Sequence, residues 1–296
     1  MRQPHFLVVI VNYNSTGYLE RCLRSLSKLE LAPQEILVYD NSSSPRDRAR
    51  LIELTKEDYG FTCIFGDKNL GFGAGVNRAI MSARSGWDYV WVLNPDMIVA
   101  PSSLGLLSDA MTSQESDIAS PLILDCNDKI WFAGGDVDTK RGRATHVGIG
   151  EAFKSPGGDV IESTFITGAA PLVSRRAWKR LGGFREDLFL YWEDADLSLR
   201  AMQAGYRMIV VPEAKSWHHQ GGSSEGGVGP TYIYYVQRNR IVLFREYGPV
   251  YGLLFGRGGF ETFKLATLPF RSGKKDLWQK VVASLRGMVD GIRVTL

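Results

Sequence analysis

The chain has 296 residues, 44% of them hydrophobic, and a formal net charge of +3. This length allows one large core or two modest ones, so we expect an α/β domain over residues 1–237 and a helical extension over residues 238–296. The extension carries eleven Lys and Arg residues against four Asp and Glu residues. No apolar run approaches the roughly 18 residues that a membrane span needs, and we expect no spanning helix.

The cysteines and the N-terminus bear on where the protein works. Cys22, Cys63 and Cys126 are odd in number and form no C-x-x-C pair, which argues against a disulfide framework and a zinc site. The apolar run of residues 6–11 is too short for a signal sequence. We therefore expect a cytoplasmic protein.

Four short apolar runs in the first third of the chain predict strands, because they are rich in β-branched and aromatic residues. These runs are residues 6–11, 36–39, 62–65 and 89–93. Each precedes a helical pattern, and this alternation indicates a mostly parallel sheet with helices on both faces. Ligands bind at the carboxyl ends of such strands, and in this chain those ends are polar.

The middle of the chain is less regular. Gly134-Gly135 and Gly157-Gly158 indicate turns around hairpins, and helices are predicted at residues 174–181 and 194–204. A last strand at residues 208–211 should end at Pro212. Residues 221–229 contain five glycines, which predicts a mobile loop near the site.

From position 232 into the extension, aromatic and basic residues are interleaved. This pattern is typical of amphipathic helices that lie on an anionic membrane surface. A helical cap that packs its aromatic face on the main domain fits the pattern equally well. A basic segment can also bind nucleic acid, although we expect no nucleic-acid partner.

Two clusters of residues carry candidate chemistry. Glu193 and Asp194 lie at the mouth of a predicted helix among large apolar side chains, which indicates a pocket because carboxylates are seldom buried unless paired. Asp96 follows the fourth strand on a turn that Pro95 makes rigid, and His218 adds an imidazole. A carboxylate and an imidazole, completed by diphosphate oxygens and water, form a plausible site for Mg²⁺ or Mn²⁺.

Seven motifs occur in an order and spacing that resemble a known family. They are VIVNYN (9–14), VYDNSS (38–43), NLGFGAGVN (69–77), LNPD (93–96), GAA (168–170), GGF (182–184) and WEDADL (192–197). Together they resemble family 2 glycosyltransferases, and most closely the bacterial rhamnosyltransferase-like branch. The resemblance covers residues 6–245.

The resemblance implies a GT-A fold, a nucleotide-sugar donor, a divalent metal and inversion at the anomeric carbon. Asp194 would be the general base, Asp96 and His218 the metal ligands with His219 as the weaker alternative, and Trp192 and Glu193 would orient the acceptor. The donor nucleotide would contact a set of mostly amide side chains at the strand ends: Asn12, Tyr13, Asn14, Asp40, Asn69, Gly71, Asn77 and Asn94.

The expected function is transfer of L-rhamnose from dTDP-rhamnose to a glycolipid or polysaccharide acceptor. The alternatives are a UDP-hexose transferase, a nucleotidyltransferase and a non-catalytic glycan- or nucleic-acid-binding protein. A nucleotidyltransferase should carry a glycine- and lysine-rich loop early in the chain, and residues 12–15 do not. The extension would attach the enzyme to the inner face of the cell membrane, or form a homodimer.

Overall fold

The computed structural model describes residues 3–84, 86–154, 159–219 and 228–294. The Gly157-Gly158 turn and most of the predicted glycine-rich loop at residues 221–229 lie outside these ranges.

The described residues form twelve strands and ten α-helices. The strands are β1 (Phe6–Asn12), β2 (Glu35–Asp40), β3 (Thr62–Phe65), β4 (Tyr89–Leu93), β5 (Met97–Val99), β6 (Ile118–Leu124), β7 (Ile130–Phe132), β8 (Gly135–Asp138), β9 (Arg143–His146), β10 (Ile161–Glu162), β11 (Leu172–Ser174) and β12 (Met208–His218). The helices are α1 (Thr16–Leu26), α2 (Pro45–Leu54), α3 (Phe72–Met81), α4 (Ser103–Ser113), α5 (Arg175–Leu181), α6 (Glu193–Gln203), α7 (Pro230–Phe244), α8 (Val250–Leu254), α9 (Gly259–Arg271) and α10 (Leu277–Arg293).

One large sheet runs through the molecule in the order β10-β12-β6-β11-β4-β1-β2-β3. β4, β1, β2 and β3 are parallel, β12 is parallel to β6, and β11 is antiparallel to both of its neighbours. All seven residues of β1 are buried, as expected of a parallel strand covered on both faces. The predicted α/β class with a mostly parallel sheet is therefore confirmed.

Local signals explain where several helices begin and end. The Ser44 side chain accepts a hydrogen bond from the backbone N–H of Asp47 at the start of α2, and Pro45 occupies its first position. Ser174 caps α5 in the same way, and Gly182 ends α5 in a left-handed conformation (φ 76°). Such capping satisfies backbone groups that a helix end leaves without partners.

The prediction that Pro212 ends the last strand is wrong, because β12 continues to His218. The register between β12 and β6 shifts between Val211 and Lys215, and such irregularities accommodate a proline inside a strand. The continuation places His218 opposite Met97 of β5. It thereby carries the imidazole to the turn that contains Asp96.

The predicted boundary between residues 237 and 238 falls inside α7, whose side chains are buried on both sides of it. Leu243 and Phe244 belong to the main hydrophobic core. α7 thus packs into the main core, and the predicted extension (238–296) contains the end of α7 followed by α8, α9 and α10. In the described part of the chain, none of the helices combines the length and apolarity of a bilayer span.

The extension exposes large apolar side chains. Those beyond residue 250 are Tyr251, Phe255, Phe260, Phe263, Phe270, Trp278, Leu285, Val289 and Ile292. Phe260, Phe263 and Phe270 lie at intervals that place them on one face of α9.

Candidate active site

The ends of β1 and β2 bring four of the predicted donor residues together. Asn12 and Asp40 are opposite each other in register, and Asn12 Nδ2 donates to Asp40 Oδ1 over 3.1 Å. Asp40 Oδ2 accepts the N–H of Ser43 over 3.3 Å. Asn12 and Asp40 are inaccessible to solvent, whereas Tyr13 and Asn14 are exposed. The buried pair therefore shapes the loops, and the exposed pair forms their surface.

Asn41 holds the glycine-rich segment before α3. Its Oδ1 accepts the Leu70 N–H over 2.7 Å, and its Nδ2 donates to the Gly71 carbonyl over 2.9 Å. Asn69 Oδ1 accepts the Gly71 N–H over 2.9 Å. Gly71 has a φ of 86°, and a Cβ there would lie 2.1 Å from the carbonyl oxygen of Phe189, so only glycine fits. Asn41 was quoted within a motif but assigned no role at the sequence level.

Asn77 is committed to the protein backbone. Its Nδ2 donates to the Phe184 carbonyl over 2.8 Å, and its Oδ1 accepts the Phe184 N–H over 3.0 Å. The predicted donor-binding amide thus fastens α3 to the segment that leads towards α6.

The segment 168–169 brings Asn94 and Asp194 close together. Asp194 Oδ2 accepts the Gly168 N–H over 3.1 Å, and the Asn94 N–H donates to the Ala169 carbonyl over 2.9 Å. Two adjacent residues, Gly168 and Ala169, therefore connect the predicted base to the turn after β4.

His218 reaches the carboxylate of Asp96, with 3.1 Å between His218 Nε2 and Asp96 Oδ1. His219 instead uses its backbone N–H, which donates to the Asp96 carbonyl over 3.0 Å. Both Asp96 and His218 are about nine-tenths buried, and the Trp131 ring packs against the imidazole at 4.3 Å between centroids.

This pair fits a divalent cation that shares its shell with other ligands. Neighbouring ligands in an octahedral site with bonds of about 2.1 Å lie about 3 Å apart, close to the separation of Asp96 Oδ1 and His218 Nε2. The His218 Nδ1 atom is buried and has no hydrogen-bond partner among the described residues. Within the same residues no group of three or more His, Cys, Asp or Glu could hold a metal.

Glu193 and Asp194 open α6 with contrasting environments. Burial, and secondly the charge of Asp194, raise the pKa of Glu193 to about 8, and Glu193 Oε2 has no partner in the described part of the chain. Burial also raises the pKa of Asp194, but the N–H groups of Gly168 and Ala195 and the charge of His146 act against it. The two N–H groups stabilise the ionised form of Asp194 against the effect of burial.

Trp192 and Asp196 hold the first turn of α6 in place. The Trp192 indole N–H donates to the Val236 carbonyl over 3.0 Å, so the ring is anchored to α7. Asp196 pairs with Arg200 one turn later, with 2.8 Å between Oδ2 and Nε. Arg200 also donates to the carbonyl of Gly183, which makes this pair a structural one.

His146 lies close enough to Asp194 to oppose the rise of its pKa, and the sequence did not reveal this proximity. Its Nδ1 atom lies 2.8 Å from the Trp131 carbonyl oxygen, and the Trp131 ring packs between His146 and His218. A lone histidine in a short hairpin carries no sequence signal, because only the folded chain brings it near Asp194.

Comparison with known proteins identifies the family. The model of Glycosyl transferase family 2 matches residues 7–180. The chain belongs to this family. It is 29% identical over 238 residues to N-acetylglucosaminyl-diphospho-decaprenol L-rhamnosyltransferase of Mycobacterium tuberculosis, which covers 73% of this chain and 76% of that protein. It is 24% identical over 250 residues to dTDP-rhamnosyl transferase RfbF of Shigella flexneri, over 80% of this chain and 79% of that protein.

Solved structures show the same fold at low identity. GalNAc-T7 with UDP, GalNAc and Mn²⁺ matches with a TM-score of 0.63 and 16% identity, over 95% of this chain and 57% of that one. The mannosyltransferase PcManGT from Pyrobaculum calidifontis, in complex with GDP-Man and Mn²⁺, matches with a TM-score of 0.58 and 15% identity, over 100% of this chain and 77% of that one. The expected GT-A fold and the rhamnosyltransferase-like resemblance are confirmed.

Proposed function

We propose that this glycosyltransferase is a metal-dependent, inverting enzyme that moves L-rhamnose from dTDP-rhamnose to a lipid-linked sugar. The names of two relatives support the donor sugar, and one of them also names a polyprenyl-diphosphate acceptor.

The observation that carries the proposal is the placement of Asp194. Its carboxylate is oriented by the Gly168 N–H, and the next residue of that segment accepts a bond from Asn94 on the donor side. A sugar hydroxyl is a poor nucleophile, so a carboxylate must take its proton as the new glycosidic bond forms. A single displacement with one base inverts the anomeric carbon.

The other predicted residues divide the remaining tasks. Asp96 and His218 would hold the divalent cation, Mg²⁺ or Mn²⁺, which when bound stabilises negative charge on the leaving diphosphate. Tyr13 and Asn14 would contact the nucleotide at the surface, while buried Asn12 and Asp40 keep their loops in place. Glu193, protonated and buried, would orient the acceptor without competing for its proton.

A lipid-linked acceptor requires the enzyme to work at a membrane. The exposed aromatic side chains of α9 and the basic residues around them support peripheral attachment, because large exposed apolar patches mark membrane or protein contacts. The inner face of the cell membrane is the proposed location. The same surface could instead pair two copies of the chain.

The test is a donor screen in which release of nucleoside diphosphate is measured with dTDP-rhamnose, UDP-hexoses and GDP-mannose. A polyprenyl-diphospho-N-acetylglucosamine serves as acceptor, with Mg²⁺, Mn²⁺ or chelator. The proposal expects acceptor-dependent release that is fastest with dTDP-rhamnose. Preference for a UDP-hexose would overturn the donor assignment, and turnover of nucleoside triphosphates alone would indicate a nucleotidyltransferase.

A further inference from the structure

Residues 187–192, here called the entry loop, lead into α6 through an unusual backbone. Phe189, Tyr191 and Trp192 have φ angles of 63°, 68° and 75°. The Leu190 N–H donates to the Leu188 carbonyl over 2.7 Å across Phe189, whose ψ is −57°. This is a γ-turn of the rare, strained hand. Such conformations persist only when surrounding structure holds them.

One buried amide on α7 holds most of the entry loop. Asn239 Nδ2 lies 2.5, 2.8 and 3.1 Å from the carbonyl oxygens of Leu188, Leu190 and Tyr191, so its two N–H groups serve three acceptors, with one N–H shared between two of them. The Arg238 guanidinium donates in turn to Asn239 Oδ1 over 2.6 Å, which orients the amide. Asn239 is inaccessible to solvent, so water cannot replace these bonds.

The three aromatic residues with positive φ angles also pack on α7. Each loop ring meets one ring of the helix, in the pairs Phe189–Tyr235, Tyr191–Tyr232 and Trp192–Phe244 at 4.9, 4.9 and 5.2 Å between centroids. Aromatic pairs at these distances are favourable beyond the area they bury. Hydrogen bonds and ring contacts from α7 therefore hold the entry loop in its conformation.

The opposite side of the entry loop contacts the donor side of the site. The Phe72 N–H at the start of α3 donates to the Phe189 carbonyl over 2.8 Å. The preceding residue, Gly71, lies so close to the backbone of Phe189 that any side chain at position 71 would collide with it. The entry loop thus lies between the glycine-rich segment and the helix that carries Asp194.

We propose that Asn239 is a positioning residue for sugar transfer, a role that rests on the proposed function. Its amide fixes the entry loop, and the entry loop sets the angle at which α6 presents Asp194 to the acceptor hydroxyl. Asn239 itself touches neither substrate.

The test compares Asn239→Asp with Gln237→Glu. Asn239→Asp keeps the size of the side chain but replaces the N–H donors with an oxygen that faces three carbonyls. Gln237 is a matched control, because its buried amide lies on the same helix and donates to Ser284 Oγ on α10 over 3.0 Å. Both variants place a buried carboxyl group on α7, but only that of Asn239→Asp faces the entry loop.

We expect kcat of Asn239→Asp to fall by about 10²-fold, since small displacements of a catalytic group have that effect, while KM for the donor changes by less than about threefold. Gln237→Glu should keep kcat within about threefold of wild type even if its melting temperature falls. Equal losses of kcat in both variants, or near-normal kcat in Asn239→Asp, would overturn the proposal.

Hydrogen exchange distinguishes failure of this inference from failure of the proposed function. In Asn239→Asp, exchange at residues 187–194 should accelerate, whereas Gln237→Glu should accelerate exchange only where α7 meets α10. A wild-type protein that transfers no sugar overturns the proposed function. Unchanged exchange of the entry loop in Asn239→Asp then also rules out the positioning role.

Discussion

At the scale of single residues, the two adjacent carboxyl groups at the start of α6 differ in the groups that surround them. Burial raises the pKa of both, but the Asp194 carboxylate accepts the N–H groups of Gly168 and Ala195, whereas Glu193 has an oxygen without a described partner. Replacing Asp194 with Asn removes the proposed base and keeps its shape. We expect turnover to fall by at least about 10²-fold, while the dissociation constant of the donor measured by calorimetry stays near the wild-type value. Near-normal turnover would remove Asp194 from the mechanism.

Glu193→Gln, at the neighbouring carboxyl group, carries a pH prediction of its own. The pKa of Glu193 rises from 4.5 to about 8 on folding, so between these values the folded state binds more protons than the unfolded state. The Glu193 side chain therefore destabilises the wild type increasingly as pH rises through this window. Gln cannot ionise, and the melting temperature of Glu193→Gln should gain on wild type between about pH 5 and about pH 8. A constant difference across the window would contradict the burial argument.

The Asp96 and His218 pair predicts dependence on a divalent cation. Asp96→Ala and His218→Ala should each weaken donor binding and turnover together, because loss of a ligand leaves the leaving diphosphate poorly neutralised. His219→Ala is the control, since the backbone N–H of His219 contacts Asp96 and survives the substitution. Full activity of the wild type in excess chelator would exclude the metal assignment.

The sequence predicted the carboxylates and amides at the strand ends because periodicity locates a strand end, and a parallel sheet gathers such ends at one edge. It missed Asn41, Asn239 and His146, whose partners lie 29, 51 and 15 residues away. Local pattern contains no information about such contacts. Asn12 and Asp40 were located by the same logic, but their burial and their hydrogen bond to each other depend on the pairing of two strands that are distant in sequence.

At the scale of elements, the entry loop shows why the sequence did not predict the turn before α6. Three aromatic residues adopt φ values that normally indicate glycine, at a cost of roughly 1–3 kcal/mol each. Hydrogen bonds and ring contacts from α7 offset that cost.

The basic and aromatic residues beyond position 232 do not all play the same part in the fold. Arg240 is buried and donates to the carbonyls of Arg141, Gly142 and Gly258, whereas the rings of α9 are exposed. The sequence pattern does not distinguish these two environments.

α10 supports α7 through two glycines. A Cβ at Gly287 would lie 2.5 Å from the Tyr234 carbonyl oxygen, and one at Gly291 would lie 2.8 Å from that of Arg238. Gly287→Leu should therefore push the helices apart and lower the free energy of unfolding by about 1–3 kcal/mol, as overpacking does. Arg286→Leu adds the same side chain at an exposed position of the same helix. Urea denaturation compares the two, and equal losses would show that the close approach of α10 to α7 contributes nothing.

At the scale of the whole molecule, charge and apolar exposure both concentrate in the extension. Residues 1–237 carry 24 Lys and Arg against 28 Asp and Glu, whereas residues 238–296 carry eleven against four. Arg257, Arg271, Lys274 and Lys275 are exposed and flank or follow the aromatic face of α9. Each cation near an anionic surface contributes on the order of 1 kcal/mol, so the rings and the charges together could hold the enzyme on a membrane without a spanning helix.

Liposome sedimentation tests this attachment without removing any element, since truncation before α8 would uncover α7. The triple variant Phe260→Ser, Phe263→Ser, Phe270→Ser should lose binding to anionic liposomes that the wild type shows at low salt. Its control replaces three exposed apolar side chains on the main body, Ile52, Met81 and Val147, with Ser, and should bind as the wild type does. Because the cations act through screened electrostatics, binding of the wild type should weaken as salt increases. A wild-type protein that ignores such liposomes and forms dimers that the α9 variant dissolves would show that this face joins two copies of the chain.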